Sequence, residues 1–190
     1  MQFDLSSLSK AQIAASVRAA DVKSLRTVYL VMIFSVLLLL AAVWFQLEHH
    51  AAVNRQPAWF SIFQGMMLVF ILGLYGIAVW GPKRWLKPER LHRILHGAAQ
   101  KQAEDNDAVL EMLSLTARMV LVLRVSVLEA AALLGCVVMF VAAHFNLMHR
   151  NSLLWLNAIP VIVLFLFVLL RFPSRERIAA FISSHILKRL

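Results

Sequence analysis

The stretch TVYLVMIFSVLLLLAAVWFQ, residues 27–46, decides the fold class. It carries no charged side chain over a length at which a helix crosses the hydrocarbon core of a bilayer, which takes about 20 apolar residues. Three further apolar runs follow it, at residues 59–80, 119–145 and 153–170. The sequence therefore predicts an all-α protein, an integral membrane four-helix bundle.

The composition of the whole chain favours the same fold class. Of its 190 residues, 61% are hydrophobic and 15% are charged, and the mean hydropathy is +0.75. A soluble domain carries about a quarter charged residues. The formal charge of +9 does not indicate nucleic acid, because the basic residues flank apolar runs instead of forming a stripe among exposed aromatics. We therefore expect the partners to be the lipid bilayer and its anionic headgroups, and no nucleic acid.

The distribution of Lys and Arg predicts how the four spans are oriented. Basic residues concentrate before the first span, between the second and third, and after the fourth, whereas the other two connections hold only Arg55 and Arg150. Cytoplasmic segments of membrane proteins are the ones enriched in Lys and Arg. Both termini and the middle loop are therefore expected on the cytoplasmic side.

On this topology the chain divides into five segments. They are a cytoplasmic amphipathic N-terminal segment (1–26), a first transmembrane hairpin (27–80), a basic cytoplasmic loop (81–118), a second transmembrane hairpin (119–171) and a basic cytoplasmic tail (172–190). Ile13 and Val17 are expected on the apolar face of a short amphipathic helix in this segment, which would lie on the inner membrane surface. A frayed, partly disordered tail is the alternative.

Local signals refine the ends of the spans. Pro82 is expected to help end the second span, and Leu110 and Leu113 predict a helix that runs directly into the third. Pro160 is expected to loosen or kink the fourth span, because its missing N–H frees one backbone carbonyl.

The two halves of the chain align without gaps at an offset of 91 residues, which places Leu30 on Leu121. The aligned positions include Ser35 with Ser126, Pro82 with Pro173 and Arg84 with Arg175. We interpret this as duplication of a helical hairpin. Each unit has two spans, so the repeats would be parallel in the membrane.

Glu129 is the main candidate for a functional residue. It lies about ten residues into the third span, roughly 15 Å at helical rise and close to the middle of the bilayer. Ionised there, a carboxylate costs at least ~2.5–3.5 kcal/mol. It is therefore expected to bind a cation, to pair with a base or to stay protonated. A functional role and a structural hydrogen bond remain open.

Other polar residues within the spans are candidates for the same ion-binding or structural polar site. Arg124 is turned about 140° from Glu129 on one helix, which makes a direct pair awkward. Glu129 is therefore expected to meet another helix, another subunit or a nearby polar group. The candidates are Ser126, Gln64, Tyr75, Asn157 and Ser35.

The small residues of the spans predict close packing between helices. Gly65, Gly73 and Gly76 in the second span, and Gly135 in the third, are expected to permit close helix contact.

The histidines and the cysteine do not predict a metal site. His92 and His96 have the spacing that could place both on one metal, but no Asp, Glu or Cys completes a zinc pattern beside them. The only cysteine, Cys136, lies inside an apolar run and is typical of a small core residue. We expect no metal and no cofactor.

The block RVSVLEAAALLG at residues 124–135, followed by LLRFPSRERI at 169–178, resembles a family of small uncharacterised bacterial membrane proteins. Their common pattern is an IIRLAL-E-GAALL helix, a final span and an RRPTRERI tail. The resemblance implies a multi-pass protein of the bacterial inner (cytoplasmic) membrane. It brings no activity with it.

Glu129, Leu133 and Gly135 are also distantly similar to the ion-binding helix of rotary ATPase rotor c subunits. The carboxylate lies on the third span here, and the loop 81–118 is long. This resemblance therefore implies a similar hairpin scaffold put to another use.

The sequence predicts a non-enzymatic role, because no catalytic constellation is present. We expect a subunit or scaffold of a larger inner-membrane assembly, either as a homo-oligomer or with other membrane-protein subunits. The alternative is an H⁺- or Na⁺-handling oligomer or transporter element that uses Glu129. A membrane-embedded enzyme would need convergent polar groups that the spans lack.

Overall fold

The structure of the chain, a computed structural model, describes residues 13–15, 17–49, 57–85 and 106–186, without the side chains at 83, 85 and 106–110. Within these ranges the chain is helical and contains no strand. The elements are α1 (Ala19–His49), α2 (Ala58–Trp85), α3 (Asn106–His144), a 3₁₀ helix (Ser152–Ala158), α4 (Ile159–Arg171), α5 (Arg175–Phe181) and a π-helical turn (Ile182–Ile186).

Four helical segments among the described residues are long and apolar enough to cross a membrane. They are Ala19–His49, Ala58–Pro82, Glu111–His144 and Ser152–Arg171. The predicted all-α membrane helical bundle is confirmed, and the chain is a multi-pass membrane protein.

Three of the helices extend beyond the uncharged runs. The first begins at Ala19, ahead of the apolar stretch, and carries Asp21 in its first turn, where a carboxylate suits the helix dipole. The third begins at Asn106, which confirms that a helix runs directly into the third span. Pro82 lies inside α2, which continues to Trp85, and the segment apolar enough to cross the membrane ends at Pro82, as expected. A proline in the last turn removes only one backbone hydrogen bond.

The fourth span is broken where Pro160 was expected to disturb it. A 3₁₀ helix occupies Ser152–Ala158, and the α-helix begins only at Ile159. The 3₁₀ helix is capped by Asn151, whose side chain accepts a hydrogen bond from the Leu153 N–H at 3.1 Å. Pro160 lacks the N–H that an α-helical turn would need at this point, so the preceding residues wind more tightly.

The described residues divide into two compact units. The first unit takes in the chain up to Val28, Trp80–Arg124 and the chain from Arg171 onward. Its core is formed by apolar side chains of the N-terminal segment, α1, α3, α5 and the π-helical turn. Those buried are Ile13, Val17, Val22, Leu25, Leu113, Ala117, Val120, Ile178, Ala179, Ile182 and Ile186.

The burial of Ile13 and Val17 differs from the expected surface helix. Each is 1% exposed, so both pack inside the first unit and are not an apolar face left for lipid. The buried residues of α5 and the turn, at 178, 182 and 186, recur every four residues and so lie on one helix face. This face is the reason why residues 175–186 are helical: it buries apolar side chains against a core.

The second unit comprises Tyr29–Val79 and Val125–Leu170. Its core is richest in residues of α3, many of them small. Those buried on α3 are Val125, Leu128, Ala131, Ala132, Cys136, Val138, Met139, Ala142 and Ala143. By contrast, only 11% of the most apolar window of the second span is buried, against 50% for the third. Lipid or another protein must therefore cover most of α2.

Hydrogen-bonded pairs show that α1 and α3 run in the same direction. In the second unit Ser35 meets Glu129, and Gln46, later on α1, meets His144, later on α3. In the first unit the order is likewise preserved, since Arg18 meets Glu111 and Ser24 meets Arg118. Within each unit, α1 and α3 are therefore parallel neighbours.

Candidate functional site

The carboxyl group of Glu129 is joined to a neighbouring helix. Its Oε1 lies 2.6 Å from the hydroxyl Oγ of Ser35, and the contact is partly buried. Glu129 is on α3 and Ser35 on α1, 94 positions apart in the chain. Glu129 was expected to meet another helix, another subunit or a nearby polar group. The structure shows the first of these, because Ser35 lies on another helix. Ser126, one turn earlier on α3, is not that partner.

Ser35 also contacts its own helix. Its Oγ lies 2.8 Å from the backbone carbonyl oxygen of Met32, three residues earlier. Serine hydroxyls inside helices often bond back to a carbonyl of the preceding turn. The hydroxyl thus stands at hydrogen-bond distance from two oxygen atoms, one on each helix.

Of the other predicted polar residues, Asn157, Ser126 and Gln64 do not join this contact within the described ranges. Asn157 donates from Nδ2 to the Leu154 carbonyl oxygen at 2.8 Å, a local bond within the 3₁₀ helix. Ser126 and Gln64 are half-buried in the second unit, and in the part of the chain that the structure describes no hydrogen bond joins either of them to Glu129. Arg124 is half-buried and belongs to the first unit.

A second polar pair in the same unit was not predicted. Gln46 is buried, with 7% of its surface exposed, and its Nε2 lies 2.8 Å from Nδ1 of His144. A signal for both pairs was present in the sequence. Ser24, Ser35 and Gln46 follow each other at 11-residue spacing, which is about three helical turns plus 20°, so they share one face of α1. That face is the one that meets α3 within each unit.

The predicted close contact at Gly135 is present. A Cβ at this position would fall closer to the Asn157 carbonyl oxygen than van der Waals contact permits, and 3.5 Å from both the Asn157 carbonyl carbon and Pro160 Cγ. Glycine is therefore the residue that lets the backbone of the 3₁₀ helix approach α3.

The other three glycines differ from Gly135. A Cβ on Gly65, Gly73 or Gly76 would meet no atom of the described chain within 4 Å, and all three residues are exposed. The expected close packing at these positions is therefore not made within this chain.

In the first unit, Arg118 joins α3 to the start of α1. Its guanidinium donates to Oδ1 of Asp21 at 2.9 Å and to Oγ of Ser24 at 2.6 Å. About a third of each charged side chain is exposed, 35% for Arg118 and 32% for Asp21. The two terminal nitrogens of the planar guanidinium each donate to one of these acceptors.

Two other arginines of this unit bind protein groups. Arg18 forms a more exposed ion pair with Glu111 at 2.9 Å. Arg26 donates from Nε to the Pro173 carbonyl oxygen at 2.9 Å and lies over the ring of Phe172, 5.6 Å from its centre. Part of the positive charge expected to face lipid headgroups is therefore engaged within the protein.

The histidines and acidic residues form no metal centre in the described ranges. No group of three or more His, Cys, Asp or Glu side chains that could hold a metal ion occurs there. His92 and His96 lie outside the described residues. His144 is engaged with Gln46, and His49 stacks on Phe45 with ring centres 4.2 Å apart.

Comparison with known proteins found no relative of this chain. The chain matches no protein-family model, no curated protein and no solved structure.

Proposed function

We propose that this membrane protein is a non-enzymatic subunit or scaffold of a larger assembly in a bacterial inner membrane. The observation that carries the proposal is the hydrogen bond between Glu129 and Ser35. A polar group that is costly to place within a span is used to join two helices, which is what a structural carboxyl group does. A carboxyl group so engaged is less available for binding and releasing ions.

Two features support an assembly. Most of α2 is exposed, and three of its glycines, Gly65, Gly73 and Gly76, present a smooth surface on which another helix could approach closely. The covering partner would be a second copy of this chain or another membrane-protein subunit.

The test is native mass spectrometry of the protein extracted gently from its own membrane. A complex of fixed stoichiometry with a second protein supports the proposal and names the partner. A homo-oligomeric ring moves weight to ion handling by Glu129. A monomer that retains all its lipids but no protein contradicts an assembly role.

The second candidate function is the handling of H⁺ or Na⁺, and the depth of Glu129 in the third span favours it. This hypothesis expects purified protein in liposomes to move the ion, and Glu129→Gln to abolish the flux while the fold is kept. A scaffold predicts no flux in either protein. Glu129→Gln should then leave assembly intact, because glutamine still hydrogen-bonds to Ser35.

We also propose that both termini face the cytoplasm and that the chain arose by duplication of a hairpin. The Lys and Arg distribution supports the orientation. The parallel course of α1 and α3, which the alignment pairs, supports the duplication. Reporter fusions at each terminus, one active only inside the cell and one only outside, test the orientation. We propose, too, that the chain is related to the small four-helix inner-membrane proteins that it resembles.

A further inference from the structure

Arg26, near the start of α1, is oriented by the link between α4 and α5, residues 172–174. Its Nε donates to the Pro173 carbonyl oxygen at 2.9 Å, and its guanidinium carbon lies 5.6 Å from the centre of the Phe172 ring. One hydrogen bond and one ring contact together hold the guanidinium group in a defined direction.

The same contacts leave the outer edge of the Arg26 guanidinium open. None of the described residues accepts a hydrogen bond from its terminal nitrogens, Nη1 and Nη2. Its charge is not neutralised, because a carbonyl oxygen and a phenyl ring carry no net charge. Arg18 and Arg118 differ, since each donates to a carboxylate. Two N–H groups on one guanidinium match two oxygen atoms of a phosphate group.

Two more arginines flank the link that Arg26 contacts. Arg171 directly precedes the link, and Arg175 directly follows it. Both side chains are exposed, and neither forms a hydrogen bond or an ion pair with a described residue. The link itself is held in place, because Arg177 Nη1 donates to the Phe172 carbonyl oxygen at 3.1 Å and Ser174 caps α5. The position of both flanking arginines relative to Arg26 is therefore defined.

The acidic side chains near these arginines do not cancel their charge. Asp21, which lies five residues before Arg26 on α1, is engaged in an ion pair. In the segment RFPSRER, residues 171–177, three arginines stand against the single carboxylate of Glu176. Lys23, one turn before Arg26, is exposed and adds a further positive charge. An anion is therefore attracted to this surface.

The arginines lie where the chain leaves the membrane. Arg171 is the last residue of the fourth segment that is apolar enough to cross it, and Arg26 directly precedes the uncharged run 27–46. Both positions are at the level of the lipid headgroups, where basic groups at the ends of spans bind anionic headgroups. The acyl chains keep a headgroup phosphate at this level, whereas a free phosphate ion is diluted in the solvent.

We propose that Arg26, Arg171 and Arg175, the arginine cluster, bind the phosphate group of an anionic phospholipid. Arg26 donates from Nη1 and Nη2 to two phosphate oxygen atoms, and the two flanking arginines stabilise the negative charge. The site takes one headgroup and depends on an oriented guanidinium, so it differs from the general attraction of basic segments to an anionic surface. The proposal does not rest on the scaffold function.

Native mass spectrometry of the detergent-solubilised protein tests the site, with phosphatidylglycerol as the probe and phosphatidylcholine as the comparison. Both lipids carry a phosphate group, but the choline ammonium balances its charge. The first phosphatidylglycerol should bind more tightly than phosphatidylcholine. Arg171→Gln and Arg175→Gln should each weaken its binding about fivefold, the effect of one basic side chain at the surface. Equal affinity for the two lipids would overturn the proposal.

Two further variants separate the site from general charge attraction. Arg18→Gln removes a positive charge of the same unit outside the arginine cluster, and it should leave phosphatidylglycerol binding unchanged. Arg26→Lys keeps the charge but loses the fork, and it should weaken binding about tenfold. Because Arg171 and Arg175 contact no described side chain, their variants report on binding even where Arg26→Lys loosens the link. Wild-type affinity in Arg26→Lys, or an equal loss in Arg18→Gln and Arg171→Gln, would contradict the site.

Inorganic phosphate distinguishes a lipid headgroup from a soluble anion. Added at a concentration equal to that of phosphatidylglycerol, it should not displace the lipid. Displacement would assign the arginine cluster to a soluble phosphate and overturn the lipid site.

Discussion

Gly135→Ala should destabilise the protein, whereas Gly73→Ala should not. At Gly135 the added Cβ would meet the carbonyl oxygen of Asn157 inside van der Waals contact. A flexible side chain could move aside, but this oxygen belongs to the backbone of the 3₁₀ helix. Relief therefore requires the 3₁₀ helix and α3 to separate, with loss of packing around Pro160.

The magnitude follows from two opposing effects. Forcing an extra methyl group into a packed site costs about 1–3 kcal/mol, and a backbone obstacle places Gly135 in the upper half of that range. Alanine gains about 0.8–1.0 kcal/mol over glycine inside a helix. The net loss at Gly135 is thus about 1–2 kcal/mol. At Gly73, where no described atom lies within 4 Å, only the helix gain of up to about 1 kcal/mol remains.

Reversible unfolding by SDS in mixed micelles, followed by circular dichroism, measures both variants under conditions that keep the chain monomeric. Because their expected effects have opposite signs, the difference between the variants is about 2–3 kcal/mol and does not depend on the absolute scale. Gly135→Ala at least as stable as Gly73→Ala would refute the close approach of Asn157 to α3.

Three further predictions concern polar contacts. Ser35→Ala should lower the unfolding free energy by about 0.6 kcal/mol, and by at most about 1.7 kcal/mol, which is the range for hydrogen bonds between membrane helices. The control Ser126→Ala should leave the unfolding free energy unchanged. Glu129→Leu should lose a similar amount. Glu129→Gln should stay within about 0.5 kcal/mol of wild type, because its amide group still hydrogen-bonds to Ser35; an equal loss in both variants would contradict the contact between position 129 and Ser35. Arg118→Ala should cost about 1 kcal/mol by unfolding, less at high salt, because its pairing with Asp21 is partly exposed to solvent; a loss unaffected by salt would argue against the ion pair.

The spans could be predicted because each depends on a simple property of a continuous stretch. Residues 27–46 carry no charge over a length that spans the hydrocarbon core of a bilayer, which by itself marks a transmembrane helix. The break at Pro160 was equally local, since a missing N–H disturbs a helix wherever it lies. The sequence did not predict that one helix runs unbroken from Ala19 into the first span, because backbone hydrogen bonding does not stop where the apolar run stops.

The sequence reduces the possible partners of Glu129 to a few polar residues, but it does not identify Ser35 among them. The cost of a charge in lipid marks Glu129 by itself, but the rotation of each helix about its axis decides which side chain it meets. Packing of the whole unit sets that rotation. The four glycines illustrate the same limit: all were expected to pack closely, and only Gly135 faces a neighbouring backbone within the described chain.

The Ser35–Glu129 and Gln46–His144 pairs of the second unit determine the register of α1 against α3. Helices in lipid gain little by hydrophobic burial against each other, so many sliding and rotated arrangements of two leucine-rich surfaces are similar in energy. Turning α1 by one residue, about 100°, would remove both Ser35 and Gln46 from the face that meets α3. Sliding it by one turn, about 5.4 Å, would separate both from Glu129 and His144. The Ser35–Glu129 and Gln46–His144 contacts make this selection, which is a reason for a protein to keep polar side chains inside its spans.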